Sequence, residues 1–204
     1  MCIFEAPYNL QTDNMIKTSN QPLLKAGDIL IASPALDDTE FARTVVMIVT
    51  CDEGYLGVVM NRHNAQPSTA NELLTDLNSS SEIPLFDGGI LEKDILFVMH
   101  TFSDIEDGVP LTDGMFINGD FDQIFEHVIN EDSLEGKARF YLGYAGWEEG
   151  QLEQEINEGC WYIGRADQTL LLKSEPENIW SAALQRMGEP YSLISHIPMN
   201  ALPS

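Results

Sequence analysis

Ala138-Arg139-Phe140-Tyr141-Leu142-Gly143-Tyr144 runs directly into Ala145-Gly146-Trp147-Glu148-Glu149-Gly150-Gln151-Leu152. The first seven residues are aromatic and apolar apart from Arg139, which predicts a strand. Gly143 and Gly146, with the aromatics Tyr144 and Trp147 each directly after one of them, then mark a sharp strand-to-helix turn where backbone and rings must approach something closely. An acidic amphipathic helix is expected over 149–158, followed by a strand at Cys160-Trp161-Tyr162-Ile163. Further on, Pro176 opens a last helix that ends at Gly188 and buries Ile179, Trp180, Ala183, Leu184 and Met187. The tail from Glu189, with Pro190, Pro198 and Pro203, reads as irregular.

Upstream of that stretch, Ile29-Leu30-Ile31-Ala32-Ser33, stopped by Pro34, suits a buried strand. Thr44-Val45-Val46-Met47-Ile48-Val49-Thr50 is β-branched and too apolar to face water on either side. Asp52-Glu53-Gly54 is a turn, and Tyr55-Leu56-Gly57-Val58-Val59-Met60 returns as the second arm of a hairpin. Ser68 or Thr69, with Glu72, predicts a capped helix reaching about Leu77. Ile95–His100 and Met115–Ile117 are further strands. Asp120 caps a helix carrying Phe121, Ile124, Phe125, Val128 and Ile129 on one face. A hairpin followed by alternating strands and helices, without a strict βαβ rhythm, favours an α+β fold on a mixed, largely antiparallel sheet. Residues 1–22 are polar and aperiodic and are expected to form a poorly ordered arm before a single domain over 23–204.

With 204 residues the chain can bury roughly 70% of its unfolded surface. Ten Lys and Arg stand against 33 Asp and Glu, a net charge of −23. Nucleic-acid affinity comes largely from Lys and Arg displacing phosphate counterions, so direct DNA or RNA binding is not expected, and neither is an anionic membrane surface. Solubility is the plain explanation of the excess acid. Three cysteines at wide spacing (Cys2, Cys51, Cys160) suit reduced thiols, not a disulfide framework or a zinc site. No apolar run approaches a membrane span, and no secretory leader is legible at the N-terminus, so a cytoplasmic location is expected.

The chain resembles the YqgE/AlgH family of uncharacterised bacterial proteins from Gly27 nearly to Gly188. The resemblance lies in Leu30-Ile31-Ala32-Ser33-Pro34, Phe41-Ala42-Arg43-Thr44-Val45-Val46, Gly57-Val58-Val59-Met60-Asn61-Arg62, Asp87-Gly88-Gly89, Val98-Met99-His100-Thr101 and Asn118-Gly119-Asp120. Its most specific part is Gly143–Trp147 with Gly150-Gln151-Leu152-Glu153. His63 and Ile90 stand where the family usually carries proline. The resemblance implies a bifurcated sheet curled into a pseudo-barrel with flanking helices. It implies no established activity and no cofactor. One branch of the family carries a transcriptional-regulator label, a role that the charge of this chain would make indirect.

No cofactor or metal is expected from the residues themselves. Asn118-Gly119-Asp120-Phe121-Asp122 imitates the opening of a calcium loop, but Gln123 takes the place of the loop glycine and Ile129 that of the bidentate glutamate. His63, His100, His127 and His196 show no ligand spacing. Arg43 and Arg62 are expected to pair with Asp28, Asp37 or Asp87 in the core. The alternative is a small anionic ligand held by Arg43, Asn61, Arg62 and His100, with Gly88 and Gly89 offering backbone N–H groups. Close packing and forced backbone geometry are the preferred reading of those glycines. Trp147 is read as core, or as a partner surface if exposed. The function these features favour is a non-catalytic module acting on a protein partner or small ligand. The competing reading is a hydrolase using His100 with Asn61, Arg62 or Asp87.

Overall fold

The computed structural model describes residues 24–51, 54–74 and 82–198. The expected arm over 1–22, Cys2, Asp52-Glu53 and residues 75–77 fall outside the described residues.

Gly27 turns the chain into β1 (Asp28–Ala32), a 3₁₀ turn follows at Pro34–Leu36, and β2 (Val45–Thr50) and β3 (Tyr55–Val59) form the expected hairpin. After α1 (Ala70–Leu73) come β4 (Leu85–Asp87), β5 (Leu91–His100), β6 (Val109–Pro110) and β7 (Phe116–Ile117). Then follow α2 (Phe121–Asn130), β8 (Ala138–Trp147), α3 (Gln151–Asn157) and β9 (Trp161–Arg165). A π-turn at Thr169–Lys173, α4 (Pro176–Met187) and α5 (Tyr191–Ile194) complete the described chain. The fold is α+β, on a strongly curled half-barrel sheet ordered β6-β7-β5-β8-β3-β2-β1-β9, with β4 beside β8.

The sheet divides at β8. One edge of β8 pairs antiparallel with β5, Leu96–His100 lying opposite Leu142–Ala138. Its other edge is shared. Near its start β8 takes β4 in parallel, Leu85–Asp87 beside Phe140–Leu142; near its end it takes β3 antiparallel, Tyr55–Gly57 opposite Trp147–Ala145. The strand therefore continues to Trp147, beyond the turn expected at Gly143–Gly146. The reversal comes at Glu148–Gly150, where Gly150 takes φ +81° ahead of α3. Glu148 and Glu149 thus precede the helix they were expected to begin.

Both faces of the central strands are buried, which is why β2 lacks polar alternation. One face builds a continuous cluster from Ile29, Met47, Val58, Met99 and Tyr141, closed by Leu170–Leu172 of the π-turn and by Ile179, Ala183 and Leu184 of α4. The indole N–H of Trp180 donates to Ala32 O at 2.8 Å and pins α4 to β1. The opposite face carries two clusters. Leu152 of α3 packs with Leu30, Val46, Ile48 and Trp147, while Ile124 and Val128 of α2 pack with Val98, Phe140 and Leu142. Burial of that many large side chains, each worth roughly 1.5–3 kcal/mol, makes metals and disulfides unnecessary for stability.

Asp120 caps α2 as expected, its carboxylate accepting from Gln123 N at 3.0 Å. On the helix face Ile124 and Val128 are buried, whereas Ile129 is 45% exposed. The helix expected from Ser68 or Thr69 to Leu77 is a single turn ending at Leu73. Both hydroxyls donate to Glu72 Oε1, at 3.0 and 3.2 Å, and no side chain caps the backbone. The tail after Gly188 is not wholly irregular, since α5 packs against α4 and Tyr191 meets Tyr162 edge-on at 4.9 Å. No described helix is long and apolar enough to cross a membrane.

Candidate functional site

The arginines do not pair with the expected carboxylates. The guanidinium of Arg43 lies 4.8 Å over the Trp180 ring and donates to Ile197 O at 2.6 Å. Among the described residues, Arg62 donates to Ala42 O, at 3.5 Å. Asp28 accepts from the Lys25 N–H, and Asp87 takes the Lys93 ammonium at 2.6 Å. The Arg43 cation is thus met by a carbonyl and an aromatic face without a second buried charge, while its buried Nε has no hydrogen-bond partner among the described residues.

Asn61 is a backbone clamp. Its Oδ1 accepts from Val45 N and its Nδ2 donates to Arg43 O, both at 2.9 Å. Arg43, at one end of that clamp, adopts φ +53°, a left-handed conformation that a non-glycine residue keeps only when its surroundings hold it there. His100 is fully buried at the other end of the sheet, its ring stacked between Phe102 and Phe116 and its Nε2 bonded to Asn118 O at 2.9 Å. Burial holds its pKa below the ordinary histidine value. No hydrogen bond or ring contact among the described residues joins His100 to Asn61, Arg62 or Asp87. The candidate set is not assembled into one site.

Gly88 and Gly89 are packed against backbone. A Cβ on Gly88 would lie 2.3 Å from Gly143 O, and one on Gly89 would lie 2.0 Å from the Tyr144 carbonyl carbon. Neither glycine leaves room for a ligand. Their N–H groups are used as well, Gly88 donating to Leu142 O and Gly89 to Asp87 Oδ1.

What the fold does assemble is a cleft of about 570 Å³ along the end of β8. Phe41, Trp147 and Trp161 form one aromatic wall, with ring centroids 5.6–6.4 Å apart and the two indoles nearly perpendicular at 83°. Tyr55 and Tyr144 flank it, and Ile90 and Leu91, 42% and 40% exposed, stand at the rim. Gly146 leaves the space open, because a Cβ there would come within 3.1 Å of Leu91 Cδ1. Trp147 itself is only 6% exposed, so it contributes a ring to the cleft and is not an exposed partner surface.

The floor is organised by one carboxylate. Glu155 Oε2 accepts the indole N–H of Trp147 at 2.9 Å and of Trp161 at 2.8 Å, and its Oε1 accepts from Gln151 at 3.0 Å. Beside it the Tyr55 hydroxyl donates to Glu153 Oε1 at 2.9 Å. Burial first, and then that carboxylate, push the Tyr55 pKa up to about 12. Among the described residues no three potential ligands gather into a metal site. A smaller cavity of about 390 Å³ is lined by Phe86, Arg139 and Leu172, but Arg139 Nη2 is committed there to Leu172 O and Ser174 O.

The AlgH-like family model matches residues 29–192. The chain belongs to the AlgH-like family. A UPF0301 protein of Bacteroides fragilis is 36% identical over 191 residues, covering 93% of this chain and 96% of that one. One from Chlorobaculum tepidum is 34% identical over 184 residues, covering 89% and 96%. Among solved structures, the AlgH protein from Pseudomonas aeruginosa matches with a TM-score of 0.65 at 28% identity, over 89% of this chain and 98% of that one. A Corynebacterium diphtheriae protein shares the fold, with a TM-score of 0.71 at 21% identity over 87% and 94%.

Within this AlgH-like chain, sequence reasoning reached Trp147 and Gly146 but not Phe41, Tyr55, Glu155 or Trp161 as parts of one site. Phe41 and Trp161 are 120 positions apart and meet because β1 pairs antiparallel with β9, which brings the loop after β1 beside the start of β9. Glu155 carries a local signal, since it follows Gln151 by one helical turn on the α3 face turned to Trp147.

Proposed function

We propose that this AlgH-like protein is a non-catalytic binding module of the bacterial cytoplasm, with the aromatic cleft at the end of β8 as its binding site. Any regulatory effect then passes through the bound ligand or partner and not through DNA, because a chain of net charge −23 repels a polyanion. The observation that carries this reading is the state of the cleft's polar groups. Glu155, Gln151 and both indole N–H groups are bonded to one another, which leaves aromatic and aliphatic surface for an incoming group. A concave, largely apolar space of about 570 Å³ with a few fixed polar groups has the size of a small-ligand site. The hydrolase reading finds less support: His100 is buried away from Asn61 and Arg62, and Asp87 is occupied by Lys93.

Gly146→Leu tests the proposal, since the new side chain fills the cleft against Leu91, whose side chain can give way. Wild type and variant serve as baits in native lysate, with bound small molecules and proteins identified by mass spectrometry. A species retained by the wild type and lost by the folded variant supports the cleft. Identical profiles overturn it.

A further inference from the structure

The cleft combines two features that select the same ligand. Its walls are aromatic, and the negative faces of Trp, Tyr and Phe attract cations. Both charged residues that line it are negative. Between Arg139 and Arg165 the sequence contains no Lys, Arg or His, yet it holds Glu148, Glu149, Glu153, Glu155 and Glu158. Glu148 and Glu155 line the cleft. The three donors to Glu155 are neutral side chains, so its charge is hydrogen-bonded but not balanced. Among the described residues the ion pairs lie elsewhere, and none involves Glu148 or Glu155.

Resting on the binding reading above, we infer that the aromatic cleft binds a small organic ammonium ion, its alkyl groups against Phe41, Tyr55, Trp147 and Trp161 and its charge facing Glu155 and Glu148. A neutral apolar ligand would gain the same wall contacts but nothing from the carboxylates. An anion would meet two of them in a space with no opposing cation. The cleft is too small for a protein interface, which needs roughly 800 Å² on each partner, so a free ion fits it better than a folded domain. The surplus of acid over the whole chain adds long-range attraction for a cation.

The test uses the full chain and the three indole N–H resonances in proton–nitrogen NMR. Trp147 and Trp161 report the cleft. Trp180, bonded to Ala32 O in the other face's core, is the internal control. The probes are (2-hydroxyethyl)trimethylammonium and its neutral isostere 3,3-dimethylbutan-1-ol, with sodium chloride added to hold ionic strength constant. Saturable shifts of Trp147 and Trp161, with Trp180 unmoved and the neutral isostere about tenfold weaker, are expected; tenfold corresponds to ~1.4 kcal/mol. Glu155→Gln keeps an acceptor for the indoles and is expected to weaken the ammonium about tenfold while leaving the isostere unchanged. Glu148→Gln, on an exposed side chain, gives a smaller loss and serves if the first variant misfolds. Equal affinity for the two probes, or ammonium binding indifferent to both substitutions, overturns the cation inference and leaves the binding module standing. Probes that fail to move either cleft indole overturn the inference too, and the Gly146→Leu comparison then decides the binding reading separately.

Discussion

Replacing Gly89 with alanine sets backbone packing against ligand recognition. A Cβ on Gly89 would lie 2.0 Å from Tyr144 C, 2.2 Å from Tyr144 O and 2.4 Å from Ala145 N. All three are main-chain atoms of β8, so no side-chain rotation relieves the clash. Either the β4–β5 link or the end of β8 must move by about an ångström. Moving the link strains Gly88 N→Leu142 O and Val59 N→Gly88 O, both 2.7 Å. Moving β8 strains its pairing with Tyr55–Gly57. Overpacking costs about 1–3 kcal/mol, and each buried backbone group left unpaired adds about 1–3 kcal/mol. The expected loss is about 4 kcal/mol or more, a fall in Tm of about 10 °C for a chain of this length. Gly150→Ala is the control, because Gly150 has φ +81° with nothing within 4 Å of a Cβ, so it carries conformational strain alone, about 1 kcal/mol. Urea unfolding and differential scanning calorimetry on both variants make the comparison. Equal losses, or a Gly89→Ala protein that keeps wild-type stability, would refute the packing argument and return the double glycine to the role of a ligand cradle.

Three further outcomes follow from the described contacts. His100 is buried with its pKa held below the ordinary histidine value of 6.5; as pH falls below about 6.5 the unfolded chain takes up a proton that the folded one refuses, so stability declines until the depressed folded pKa is passed. Urea midpoints across that range should show an acid-side loss that His100→Gln reduces, and an unchanged profile would count against the buried neutral ring. Asn61→Ala leaves Val45 N and Arg43 O without partners and should cost about 2–4 kcal/mol in chemical unfolding. Leu171→Ala opens a cavity at a fully buried site and should cost about 2–5 kcal/mol, measured the same way.

Much of the architecture was legible from local pattern. The Val45–Thr50 and Tyr55–Val59 hairpin, the α2 cap at Asp120 and the α4 boundaries at Pro176 and Gly188 all follow from periodicity and punctuation that act within a few residues. The misread boundaries share one cause. Gly143 and Gly146 resemble a turn, yet β3, β4 and β5 hold β8 extended through them; neighbouring backbone crosses close to Gly143, and the Leu91 and Tyr144 side chains lie close to Gly146. Ser68, Thr69 and Glu72 resemble a capping box, but their side chains bond to each other and the helix lasts one turn. Leu170–Leu172 closes one core as a π-turn, an element that no apolar periodicity announces.

The candidate site was legible only in part. Arg43, Asn61 and Arg62 sit together in the sequence motifs, but their partners are backbone groups and a ring on α4, which no spacing reveals. The amino-acid order alone determined an acidic α+β chain with strands buried on both faces, because hydrophobic period, turn residues and net charge are properties of neighbours and of sums. Only the tertiary structure decided that Phe41, Tyr55, Trp147 and Trp161 share a cleft over Glu155, and that His100 is remote from Asn61. Strand pairing sets distances between residues far apart in the chain, and the chemistry of the cleft depends on those distances.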